Sequence, residues 1–173
     1  MNYANFFRTL YDSNYWGIGR ILGAAEGMSD EEYAAPNNYS HNNIREILTH
    51  TLTAEAMYLS RLTGRPMPDP SSPDAISEAN LPSVAALKAR WARHDETMRA
   101  YVDKLDDVEL DRVASWVRRD GINVSMPVWQ VLTQIHEHGL QHRAEAAEAL
   151  TLVGRSPGNL DFIIYMEERG PKP

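Results

Sequence analysis

Two histidines four residues apart, His138 and His142, stand where an amphipathic helix should carry core residues. A helix with about 3.6 residues per turn brings both imidazoles to nearly the same face. Stepping by three and four from Val128 gives Val131, Ile135, His138, His142, Glu145, Ala149 and Leu152. The apolar stripe therefore turns polar for three successive positions. Burying two imidazoles and a carboxylate without partners is costly. A divalent metal ion would partner all three, and a closed hydrogen-bonded network is the competing arrangement. With 6 His among 173 residues the spacing alone is a weak signal. Its place on a core stripe gives it weight.

There is no cysteine. That excludes disulfides, zinc-thiolate sites and a cysteine nucleophile. A metal would have to be held by His, Asp, Glu and water, and thiol chemistry would need an external thiol. A His pair on one helix needs a further ligand from elsewhere, and His41, His50, His94 and His136 are the histidines left. His136 lies about 200° around the helix from His138, which predicts a solvated side chain. His41 precedes a helix cap and reads as a loop residue. His94 sits on the core stripe of its own helix, whereas His50 lies on a flank, about 100° from the centre of its stripe. Periodicity alone favours His94 slightly over His50.

Four long helical patterns would position these residues. The first runs from Asn2 to Gly27 on a stripe of Tyr3, Phe7, Leu10, Asn14, Ile18, Ile21 and Ala25. A polar loop with Pro36, Asn37, Asn38 and Ser40 follows. The second pattern starts near Asn43, where Asn43 and Glu46 make a variant capping box, and runs to Gly64. A connector with Pro66, Pro68, Pro70 and Pro73 is too proline-rich to be helical. The third pattern spans Leu81 or Pro82 to Leu105 with Val84, Leu87, Trp91, His94, Met98 and Tyr101 inward. Residues 111–126 read as a β-hairpin around Asp120-Gly121. The fourth helix opens near Pro127 and ends near Gly154. In the tail to Pro173, the apolar run from Leu160 to Met166 predicts a short closing helix. Trp16, Trp91 and Trp129 fall at helical spacing and read as packing residues. Four such stripes bury one another as an all-α four-helix bundle, and the long connector permits a crossover instead of simple up-down-up-down order.

Three segments together resemble the DinB-like (DinB/YfiT) superfamily of metal-dependent proteins. They are Asn14-Tyr-Trp16 through Arg20-Ile-Leu22, the run from Ile44 through His50 to Tyr58, and His138-Gly-Leu-Gln-His142-Arg143. Leu152-Val-Gly154-Arg-Ser-Pro157 and Leu160-Asp161 fit the usual ending. The resemblance implies an up-down-down-up bundle, here with a small β-hairpin before the fourth helix and a short C-terminal helix, in one domain over residues 1–173. It implies one divalent ion, zinc or nickel, held by His50, His138 and His142, so it selects His50 where periodicity leans to His94. His94 is then a candidate general base or pocket residue. Where relatives continue His-Arg-Gly-Gln, this chain has Ala144 and Glu145. Glu145 could support a ligand histidine, ligate directly, or pair with Asn14, and support is favoured. Ile18 replaces an Asn of the family pattern.

Three protein ligands and an open position form the catalytic arrangement of such a metal. Characterised relatives include transferases that use low-molecular-weight thiols of the bacillithiol or mycothiol type. The leading expectation is accordingly a metal-dependent thiol S-transferase acting on a small electrophile. A metal-dependent hydrolase and a non-enzymatic metal- or ligand-binding bundle stay open beside it. Apolar content of 43% and charged content of 24% describe an ordinary globular chain. A net charge of −7 argues against nucleic acid or an anionic membrane as partner. No run is long enough for a bilayer span and the N-terminus lacks a secretory layout, so a cytoplasmic protein is expected. The resemblance adds the expectation of a homodimer.

Overall fold

The computed structural model describes residues 3–37 and 41–170. Asn2, Asn38, Ser40 and the end of the tail, 171–173, lie outside the described residues. The elements run α1 (Tyr3–Ala25), α2 (Asp30–Tyr33), α3 (Ile44–Thr63), α4 (Val84–Val102), α5 (Asp107–Asp111), β1 (Val113–Val117), β2 (Asn123–Pro127), α6 (Val128–Leu152) and α7 (Phe162–Arg169). No helix among the described residues is long and apolar enough to cross a membrane.

Local chemistry sets the helix ends. Asn43 Oδ1 accepts from the Glu46 N–H at 2.8 Å to start α3. Glu46 reaches back to the Asn42 N–H at 3.1 Å, one residue earlier than in a regular capping box. Gly64 stops α3 at φ +71. Ser83 caps α4 through the Ala86 N–H, so that helix starts later than the apolar pattern suggests. A capping box of Ser29 and Glu32 starts the single turn of α2, inside the stretch expected to be loop. The second short helix, α5, was also not expected. The hairpin forms as predicted, with Gly121 at φ +83 in its turn and Trp116 opposite Val124.

The directions of the four long helices follow from their contacts. Tyr11 Oη donates to the Leu132 carbonyl near the start of α6 at 2.9 Å, and Arg155 beyond the end of α6 bonds the Glu26 carbonyl, so α1 and α6 run parallel. Arg8 bonds the Leu105 carbonyl while Lys88 pairs with Glu26, so α1 and α4 are antiparallel. Arg112, which precedes the hairpin, bonds the Leu62 carbonyl, and the Val128 N–H bonds the Arg112 carbonyl. The end of α3 thus meets the start of α6, and these two are antiparallel. The order is up-down-down-up. The proline-rich connector carries the chain back along the bundle between parallel α3 and α4. In it, Asn80 Nδ2 donates to the Ser72 and Ala75 carbonyls.

The core is shared by α1, α3, α4 and α6, with Ile21, Ile47, Leu52, Leu87, Met98 and Leu132 fully buried. Trp91 is buried and Trp16 packs on Tyr165 of α7. Trp129 is 43% exposed, against the packing role its spacing suggested, because at the start of α6 it lines an open pocket with Tyr3 and Phe6 of α1 and Leu110 of α5.

A buried polar pair joins α1 and α6 across the core. Arg143 of α6 is 7% exposed and donates through Nη1 to Asn14 Oδ1 of α1. Two glycines make room for it. A Cβ on Gly17 would stand 3.4 Å from Arg143 Cδ, and one on Gly139 would stand 3.2 Å from Arg143 Nη1 and 3.3 Å from Asn14 Oδ1. Burial pulls the Arg143 guanidinium down to about 10, partly offset by Glu55, Glu137 and Tyr15, so it stays charged at neutral pH. Asn14→Ala is expected to destabilise the protein by about 2 kcal/mol in urea unfolding, because a buried cation loses its hydrogen-bond acceptor. An unchanged unfolding midpoint would show that water or another carbonyl replaces Asn14.

Candidate metal centre

Four imidazoles meet in the groove between α3 and α6. His50 Nε2 and His138 Nε2 are 3.2 Å apart. The His138 and His142 rings, one turn apart on α6, have centroids 4.5 Å apart, and those of His50 and His142 are 4.8 Å apart. The fourth ring is His41, from the loop before α3, at 4.3 Å from His50 and 5.2 Å from His142. His41, His50 and His142 each offer a ring nitrogen within 4.8 Å of the other two. The Asn43 cap fixes how the chain enters α3 and lets His41 fold back beside the second turn of that helix.

Behind the cluster, Glu145 Oε2 lies 2.7 Å from His142 Nδ1. A carboxylate there accepts the Nδ1–H and leaves Nε2 as the lone-pair nitrogen facing the other rings. Arg143, the next residue along α6, takes Asn14 as its own partner.

The electrostatics favour the neutral form of His50 and His138. Partial burial, followed by the repulsion of protonated His41, His142 and His138, brings His50 down to about 4, with Glu145 opposing. Burial, then His142 and His41, lowers His138 as well. Neutral imidazole is the form that binds a metal ion, and His41, His50 and His142 lie close enough together to hold one.

His94 lies elsewhere. It is 4% exposed in the core, and its Nε2 is 3.1 Å from Glu55 Oε1. The Tyr15 hydroxyl donates to the same Glu55 oxygen. Burial and the Glu55 charge hold the Tyr15 pKa well above its ordinary value, so the phenol keeps its proton. His94 also lines a cleft of about 720 Å³ between the C-terminal half of α3 and α4. Glu55 is five residues from His50, or roughly 140° around α3, which separates the core network from the edge cluster.

Two histidines depart from their sequence readings. His41 is a loop residue, yet it stacks into the cluster. No periodicity could have found it, because its position depends on the turn into α3. His136 was expected to be solvated, but its side chain is only 11% exposed. The reason is that α6 packs on α1 as well as α3, and the α1 flank covers it. Burial, then the Arg143 charge, lowers its pKa. Glu55 could have been noticed in the sequence, since it lies on the α3 stripe just as His94 lies on that of α4.

A model of the DinB family matches residues 1–172. The chain belongs to the DinB family. No curated protein matches it. In this DinB chain the run from His138 to Arg143 serves two structures at once. His138 and His142 face α3, while Gly139 and Arg143 face α1 and close on Asn14.

The lowered His50 pKa has a consequence for the metal-free protein. Above the ordinary value of 6.5 this group is neutral in both folded and unfolded chains. Between 6.5 and about 4 the unfolded chain takes up the proton and the folded chain does not, so stability falls as pH falls and levels off below that window. Thermal midpoints of chelator-treated protein should decline across this window, and His50→Gln should flatten the decline. An identical slope in His50→Gln would assign the effect to other groups.

Proposed function

We propose that this DinB protein is a metal-dependent transferase that joins a low-molecular-weight thiol, of the bacillithiol or mycothiol type, to an electrophilic small molecule. His50, His138 and His142 hold one divalent ion, zinc or nickel. The observation that carries this reading is the convergence of four imidazoles from three separate chain segments in one groove.

The assignment of roles follows from the elements. His50, His138 and His142 stand on helices, which hold ligands more precisely than loops do. Glu145 fixes the tautomer of His142 and aims its Nε2 at the cluster. His41 stands on a loop beside them, so it would be the donor that most easily gives way to an incoming thiol. Once bound, the ion supplies the Lewis acidity that lets a coordinated thiol lose its proton near neutral pH. His50 is partly exposed, so the groove is open to small molecules from solvent. His94 serves the core, with its Nε2 committed to Glu55. A homodimer is the assembly carried over from the family, and light scattering would test it.

Metal analysis is the first test. Wild type should carry about one divalent ion per chain, as a single three-histidine site holds one metal. His138→Ala should lose it, and His41→Ala should keep it with weakened affinity. A protein that takes up no zinc or nickel in any form would overturn the reading and leave the cluster as a hydrogen-bond network. With metal in place, electrophiles are then screened with and without bacillithiol, mycothiol or glutathione. Turnover that needs no thiol would replace the transferase with a hydrolase. Full loss of metal in His41→Ala would show a closed, four-histidine structural site.

A further inference from the structure

A cavity lies beside the hairpin, further along α3 and α6 from the histidines. Met57 lies seven residues after His50 on α3, and Val131 lies seven residues before His138 on α6. Seven residues are close to two helical turns, so both stand on the same faces as the histidines, roughly 10 Å away. Because α3 and α6 are antiparallel, these steps lead in the same direction. There, Met57, Trp116, Met126 and Val131 line a cavity of about 330 Å³ closed on one side by the hairpin.

Arg61 stands at this cavity in an unusual setting. Its guanidinium carbon is 4.8 Å from the ring centroid of Tyr58 and 4.9 Å from that of Trp116. The two rings meet edge to face at 6.3 Å. The hydrogen bond it makes runs to Met57 Sδ at 3.3 Å, a weak acceptor. Arg20, Arg99, Arg112 and Arg169 each meet a carboxylate, whereas among the described residues none pairs with Arg61. Two aromatic faces hold the cation in place and leave its planar fork of donors facing the groove. A half-buried guanidinium with most of its donors unspent can bind an oxyanion, and can do so bidentately.

We propose that this cavity receives the far end of the substrate, with Arg61 binding a carboxylate or phosphate of an elongated, partly apolar molecule. Its thiol end sits at the histidine cluster roughly 10 Å away, a span set by two helical turns. The thiol end rests on the transferase reading above, and the oxyanion site does not. Met57 and Met126, both lining the cavity, pack against the apolar part between the two ends. The hairpin, too small to be stable alone, is thereby the wall that carries Trp116 to Arg61.

The test uses full-length protein and has two arms. In the first, metal-free protein is titrated with octanoate and with octyl phosphate while the indole N–H resonance of Trp116 is followed. Saturable shifts are expected with one or both ligands, and the tighter ligand identifies the oxyanion. Affinity should drop about tenfold or more in Arg61→Gln and partly recover in Arg61→Lys, as expected for loss of a charge-assisted hydrogen bond. No saturable shift, or equal affinity in wild type and Arg61→Gln, would overturn the proposal and leave Arg61 as a clamp holding the hairpin. In the second arm, cobalt-loaded protein is titrated with mercaptooctanoate, octanethiol and mercaptoacetate, and the thiolate-to-cobalt absorption band is read. Mercaptooctanoate should bind about tenfold tighter than octanethiol in wild type and equally in Arg61→Gln, with mercaptoacetate unchanged by the substitution. A missing band with every thiol would defeat the thiolate reading, while the first arm still decides the oxyanion site.

Discussion

The buried guanidinium of Arg143 sets the rotation of α6, and the rest of the site depends on it. A cation in a helical core has few acceptable positions, and this one has its acceptor on α1 and room made by two glycines. With Arg143 turned to α1, the preceding residue His142 lies about 100° away around the helix, toward α3. His138 follows it one turn below. A different phase for α6 would leave Arg143 without an acceptor and also scatter the imidazoles. The Gly139 between the histidines has a packing explanation, since a methyl group there would press on both members of the pair.

Beside the Arg143–Asn14 pair, two further polar sets occupy the bundle, and burial separates their roles. Tyr15, Glu55 and His94 lie in the core and satisfy one another. A carboxylate there with fewer partners would be strongly destabilising. The histidine cluster lies at the edge, where His50 is partly exposed and partial burial favours its neutral form. A metal ion needs such a place, with donors held by helices on one side and an approach from solvent on the other. Opposite flanks of α3 serve the two sets. Further along α3 and α6, the hairpin brings Trp116 to Arg61.

Much of this was legible in the residue pattern, for local reasons. Capping by Asn43, the stop at Gly64, the Asp120-Gly121 turn and the helix after Pro127 each depend on a few neighbouring side chains. The short helix α2 was missed although Ser29 and Glu32 carry its capping box. The ends of α4 were drawn too wide because apolar periodicity runs past Ser83. Trp129 and His136 differ from their periodicity for a common reason: the width of the buried face of α6 depends on how many neighbours the helix has, and spacing within one helix does not carry that.

The sequence by itself determined that four helices form, where they stop, and that His138 and His142 share a face, since all of these are matters of short-range spacing. It also placed His50 correctly on a flank and His94 correctly on a core stripe. Only the tertiary structure decided what those placements meant. The pair on α6 meets the flank of α3 and not the core of α4, so His50 and the loop residue His41 join it while His94 turns to Glu55. The physical reason is that the azimuth of one helix against another is set by packing across the whole bundle, here by Arg143 and Asn14, residues far apart in the chain.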